Sequence, residues 1–151
     1  MSNNFKKGFT LVELLVVVSL IGVLATLVLA NLNSARERAR DAERKSDLRN
    51  IQTALRLYYN DNGGYPTSSS GSINGCDGAS CTWGSAWIDG SITYMNILPA
   101  DPLSPTQDYV YARDATDTDL YTLYACLENK SDEKGVVEAN CTSGYKYEVK
   151  P

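Results

Sequence analysis

The stretch KKGFTLVELLVVVSLIGVLATLVLA, Lys6 to Ala30, decides how the rest of the chain is read. Two lysines and a glycine lead into 22 mostly apolar residues, Phe9 to Ala30, and a glutamate, Glu13, stands fifth in that run. At ~1.5 Å per residue the run makes a helix of roughly 33 Å, enough to cross a hydrocarbon core of about 30 Å. A plain membrane anchor is one reading. A secretory signal peptide, cut after Val28-Leu29-Ala30, is another, although the run exceeds the roughly 7 to 15 apolar residues usual there. Neither reading uses Glu13, whose charge is costly in lipid.

The rest of the chain bounds the function. Its 151 residues suit one domain and an appendage. The formal net charge of −4 is unevenly spread: residues 31–60 carry a net of +3 and residues 61–151 a net of −8. The acidic C-terminal part is a poor nucleic-acid binder, because phosphate contacts need cationic side chains. The sequence has no histidine, which removes the commonest general base and metal ligand together with Ser-His and Cys-His nucleophile pairs. Cys76, Cys81, Cys126 and Cys141 all follow the apolar run and show no C-x-x-C spacing, so disulfides in an oxidising compartment fit better than zinc. Of the three pairings four cysteines allow, Cys76–Cys81 and Cys126–Cys141 close the shortest loops at least chain entropy. Charge asymmetry opposes this placement. Arg36, Arg38, Arg40, Arg44, Lys45 and Arg49 follow the span whereas only Lys6 and Lys7 precede it, which by the positive-inside rule puts the C-terminal side in the cytoplasm.

Lys6-Lys7-Gly8-Phe9-Thr10-Leu11-Val12-Glu13 resembles the prepilin peptidase recognition sequence of type IV pilins and type II secretion pseudopilins. The resemblance implies a leader, residues 1–8, cut between Gly8 and Phe9, and N-methylation of Phe9. It also implies export directed by that pathway rather than by charge asymmetry. It gives Glu13 a use: in these filaments the glutamate meets the amino terminus of a neighbouring subunit, so a charge costly in lipid becomes paired on assembly. Before assembly Glu13 lies only about 6 Å into the span, near the interface.

Residues 31–60 contain neither Gly nor Pro, and one helix is predicted from about Phe9 to Asn60, ending at Asp61-Asn62-Gly63-Gly64-Tyr65-Pro66. Residues 9–30 are read as its membrane and filament-core part and 31–60 as its continuation. Leu32, Ala35, Ala39, Ala42 and Ser46 make a small-sided stripe, and Leu48, Ile51, Leu55 and Tyr58 make a bulky stripe on roughly the opposite side. The first suits close approach of other molecules and the second suits a sheet. The segment ARDAERKSDLRNIQTALRLYYNDNGGYP is also similar to the corresponding stretch of the major pseudopilin and related pilins.

Residues 61–151 are read as the head. Thr67–Ser91, rich in Ser and Gly, reads as an irregular loop, with Trp83 and Trp87 as either a binding patch or the loop's own small core. Asp108–Arg113, Leu120–Leu127 and Tyr145–Val149 read as strands of a small antiparallel sheet. Leu98-Pro99-Ala100-Asp101-Pro102 resembles the LPxDP turn of the major pseudopilin, a family that commonly continues with a Trp-Gly-type turn and a calcium-binding loop. Here Leu103-Ser104-Pro105-Thr106-Gln107 takes the place of that turn. Asp114, Asp117 and Asp119 are candidate calcium ligands, but the loop lacks the glycine and distal glutamate of an EF-hand, and a solvated acidic turn is the alternative.

The expectation is therefore an α+β, pilin-like chain: a long N-terminal helix packed on a small antiparallel head. The leading function is the major subunit of a type IV pilus-like filament, and the alternative is the major pseudopilin of a type II secretion system. A solitary anchored or secreted domain, binding a ligand through the Trp83/Trp87 loop, is a third reading. The resemblance implies as partners copies of the chain itself, a prepilin peptidase, an assembly ATPase, an inner-membrane platform protein and the membrane. No catalytic residue and no required cofactor is expected.

Overall fold

The structure, a computed structural model, describes residues 8–132 and 135–151; the expected leader lies outside these residues except for Gly8. The chain divides into two compact units, residues 1–36 and 37–151. One helix, α1 (Leu11–Asn62), contributes to both. In the first unit, the side chains described from Gly8 to Leu29 are all exposed. The apolar part of α1 has a mean hydropathy of 2.7 and is long enough to cross a membrane. Burying so apolar a surface nowhere in its own chain marks it for another apolar environment.

In the second unit the helix has two unlike sides. Leu48, Ile51 and Leu55 are fully buried and Tyr58 is half-buried, whereas Ala39, Ala42 and Ser46 are exposed. This matches the expected division between a bulky and a small-sided stripe. The helix ends two residues later than expected. Gly63, at φ 71°, donates its amide to the Tyr59 carbonyl at 2.8 Å, so it is the left-handed residue that satisfies a terminal carbonyl.

Two hairpins follow: β1 (Thr67–Ser69) with β2 (Ser72–Asn74), and β3 (Trp87–Asp89) with β4 (Ile92–Met95). They correct the expected irregular loop over Thr67–Ser91. The first turns on Ser70 and Gly71, whose φ angles of 50° and 83° suit the two-residue turn that matches strand twist. The Ser/Gly content that reads as loop is here turn chemistry. Then come β5 (Val110–Arg113), β6 (Tyr121–Cys126), β7 (Val136–Val137) and β8 (Tyr145–Val149), an antiparallel sheet in the order β5-β6-β8-β7. Three of these strands lie within the predicted runs; β7, only two residues long, carries too little pattern to be read.

Strand β6 alternates strictly, with Tyr121, Leu123 and Ala125 buried. These residues, with Tyr147 and Val149 of β8, share one core with Leu48, Ile51 and Leu55. Burial of each large aliphatic residue contributes about 1.5–3 kcal/mol. Trp87 is fully buried, donates its ring N–H to the Gly75 carbonyl at 2.8 Å and lies 5.7 Å from Tyr58, centroid to centroid. The insert thus brings its own anchor into the core. Ile51→Ala should destabilise the head by about 3 kcal/mol, because a cavity forms where helix and sheet meet. Thermal unfolding of the full chain in detergent measures this, and a cost below about 1 kcal/mol contradicts the assigned core.

Candidate functional site

Gly8, Phe9 and Thr10 precede the helix, and a side chain built at Gly8 would meet nothing within 4 Å. Phe9 is 79% exposed. The peptide bond between Gly8 and Phe9 therefore lies in open, non-helical backbone. Thr10 and Glu13 cap the helix reciprocally. The Glu13 amide donates to Thr10 Oγ1 at 3.2 Å, while Glu13 Oε2 accepts from the Thr10 amide at 2.9 Å and from Thr10 Oγ1 at 2.8 Å. This is a capping box, and its T-x-x-E signature stands in the sequence as Thr10-Leu11-Val12-Glu13. Glu13 Oε1 accepts no hydrogen bond among the described residues.

The cysteines are joined as Cys76–Cys81 and Cys126–Cys141. Trp83 packs edge-on against Tyr109 at 5.7 Å, and Trp87 is buried as described, so the two tryptophans are core and core margin rather than a shared binding patch. Asp114, Asp117 and Asp119 are all exposed; the oxygens of Asp114 and Asp117 serve the turn itself, and the Asp119 carboxylate meets the Tyr59 hydroxyl of the helix. Asp114 Oδ1 accepts from the Thr116 and Asp117 amides at 2.8 and 3.0 Å, and Asp117 Oδ1 accepts from the Asp119 amide at 2.9 Å. Among the described residues no group of three or more His, Cys, Asp or Glu is placed to hold a metal ion.

The largest concentration of charge was not anticipated from the sequence. Arg44, fully buried, grips Asp101 with two parallel bonds of 2.8 and 3.0 Å, and its Nη1 reaches Asp41 at 2.7 Å and Glu128 at 2.8 Å. Arg40 adds a second pair to Glu128, with Nε 2.7 Å from Oε1. Asp41 also accepts the backbone amides of Glu128 and Asn129, and Asp101 accepts that of Leu103 and the Gln107 side chain. Lys45 pairs with Asp132. Burial alone opposes the Arg44 cation, but the carboxylates of Asp101, Glu128 and Asp41 hold its pKa above the ordinary value. The Arg40 and Arg44 guanidiniums hold the Glu128 carboxyl below its ordinary range. Arg44 and Asp101 therefore fasten the LPADP turn to the helix, while Asp41 and Glu128 fasten the segment after β6. The signal was available: Asp41, Arg44, Leu48, Ile51 and Leu55 continue one line of three- and four-residue steps.

Comparison with known proteins adds two family matches. The family described as the prokaryotic N-terminal methylation motif matches residues 3–29, and that described as type II secretion system protein G matches residues 31–138. A type II secretion system core protein G of Pseudomonas aeruginosa is 32% identical over 130 residues, covering 83% of this chain and 87% of the relative. The Vibrio cholerae protein of that name is 32% identical over 118 residues, 78% of this chain and 80% of the relative. The Escherichia coli protein is 44% identical over 66 residues; there the chain spans about half the relative's length or less, 46%, with 44% of this chain matched. No solved structure matches the chain.

Two outcomes follow from the buried charges. Arg44→Ala leaves the Asp41 and Asp101 carboxylates buried without their cation and should cost about 3–5 kcal/mol in unfolding measurements. Glu128 titrates lower in the folded head than in the unfolded chain, so its contribution is present above the unfolded value and is lost as pH falls through the folded one. Stability should therefore decline on acidification below about pH 5, and Glu128→Gln should flatten that decline. An unchanged slope in the variant would remove Glu128 as its source.

Proposed function

The chain belongs to the type II secretion system protein G family, and from that membership we propose that it is the system's major pseudopilin. It is a structural subunit and not an enzyme. Its leader is removed after Gly8 by a prepilin peptidase that also methylates Phe9, and the subunit then joins a helical filament of identical copies. The observation that carries this reading is the protein G match over residues 31–138, which includes the helix continuation and most of the head. The sequence alone placed a type IV pilus subunit first and the pseudopilin second; this match supports the opposite order, because it extends beyond the shared N-terminal segment over most of the head. The precursor waits in the inner membrane with its N-terminus in the cytoplasm, and the filament stands on the oxidising side, where both disulfides persist. An assembly ATPase and an inner-membrane platform protein supply the work of extension. The acidic head takes no direct part in binding nucleic acid. Calcium at the Asp114–Asp119 turn is a minor proposal, tested by melting with and without chelator.

Glu13 is assigned the assembly contact, its carboxylate meeting the amino group of a neighbour's Phe9. Glu13→Ala should leave the subunit processed and membrane-inserted but abolish export of the cell's type II secretion substrates. Mass spectrometry of the natural chain should find a terminus at methylated Phe9. A chain that retains Met1 or starts at Asn31 contradicts the proposal. So does loss of surface pili with unimpaired secretion when the gene is deleted.

A further inference from the structure

Beyond the apolar part of α1, six exposed charges remain outside the network that holds the head: Arg36, Arg38, Glu43, Arg49, Arg56 and Asp61. Among the described residues none of the six is in an ion pair, although Asp61 lies beside the Tyr94 hydroxyl. Four of them are regularly spaced. Arg38 and Arg56 are 18 residues apart, and so are Glu43 and Asp61. Eighteen residues is about five helical turns, so each pair falls on a single line parallel to the helix axis. Each acid follows its arginine by five residues, which at ~100° per residue sets the two lines about 140° apart. The side chains between the two lines are Ala39, Ala42, Ser46, Asn50, Thr53 and Leu57, all exposed. The helix surface turned away from the head is thus bounded by a cationic line on one side and an anionic line on the other.

Such a surface is complementary to itself when copies lie parallel and shifted, since one subunit's cationic edge then meets the next subunit's anionic edge. Opposed edge charges of this kind set partner and register between helices. Resting on the filament reading above, we propose that Arg38 and Arg56 of one subunit pair with Glu43 and Asp61 of an identical neighbour. The subunit lending the arginines is displaced headward by about five residues, ~7.5 Å. Two contacts then close together, because both arginine–acid separations are the same. Arg49 also lies near the cationic line and Arg36 near the anionic one, but the positions five residues beyond them are the buried Ala54 and Asp41, so neither has a counterpart in this register.

The test is made on the full chain in cells with its own processing and secretion machinery. R38E/R56E should lower the yield of sheared filaments by about tenfold, since two like-charge contacts recur at every subunit. Adding E43R and D61R to the same chain should restore it. The chain R38C/E43C should form ladders of cross-linked oligomers under mild oxidation, and R38C/D61C should not. Head melting temperatures measured on each variant separate assembly loss from misfolding. If the quadruple swap stays defective with a normally folded head, or R38C/E43C filaments assemble without ladders, the register is wrong while the pseudopilin reading stands. If the wild-type chain is neither processed at Phe9 nor assembled, both fall.

Discussion

Arg44 is the residue around which the head is organised. A guanidinium taken wholly out of water costs several kcal/mol, and it is tolerated only where its donors are met by carboxylates in good geometry. Here they come from three places: Asp41 one turn earlier on the helix, Asp101 in the LPADP turn and Glu128 just after β6. Hydrophobic burial is indifferent to direction, so the Leu48–Ile51–Leu55 surface alone admits several ways of laying a sheet across it. The bidentate Arg44–Asp101 pair admits few. Asp41 then fixes the backbone of Glu128 and Asn129, and the Cys126–Cys141 bridge closes the segment beyond them. Cation, carboxylates and disulfide together define where the C-terminal loop sits on the helix.

The helix divides its labour by face. Toward the head it presents Asp41, Arg44 and then aliphatics, so the same line changes from ionic to apolar along its length. Away from the head it keeps small and polar side chains and free charges. A helix tethering a solitary domain has no need of the second arrangement. The unburied apolar residues before Leu29 make a similar point. Both features leave surface that the rest of the chain does not cover.

Much of this was legible in the chain. The apolar run and its glutamate, the helix through to Asn60, the bulky Leu48–Tyr58 stripe and three strands all rest on periodicity or on a short specific motif, which survive without knowledge of partners. The Arg44 cluster escaped because charged residues on a helix are read as solvated unless a partner is known, and its partners lie 57 and 84 residues away. The same heptad-like line that marked Leu48 and Leu55 as buried ran straight through Asp41 and Arg44, so residue type overrode position. The hairpins at Thr67–Asn74 and Trp87–Met95 were missed because strands of three or four residues leave little alternation to detect. Between pilus and pseudopilus the N-terminal segment carries no information, being shared by both; the protein G match lies beyond it, over residues 31–138.

The capping box sharpens the part played by the N-terminal acid. Were Glu13 needed both to start the helix and to bind a neighbour, assembly would unwind what it builds on. The geometry avoids that conflict, because a carboxylate has two oxygens and about four acceptor sites. Oε2 takes both donors of Thr10, while Oε1 accepts nothing among the described residues. The proposed cleavage after Gly8 would leave the Thr10 amide and hydroxyl in place, so the cap would persist in a processed chain. Glu13 holds its own helix start with one oxygen, and the other is left with the acceptor capacity that the proposed contact with a neighbour's amine requires.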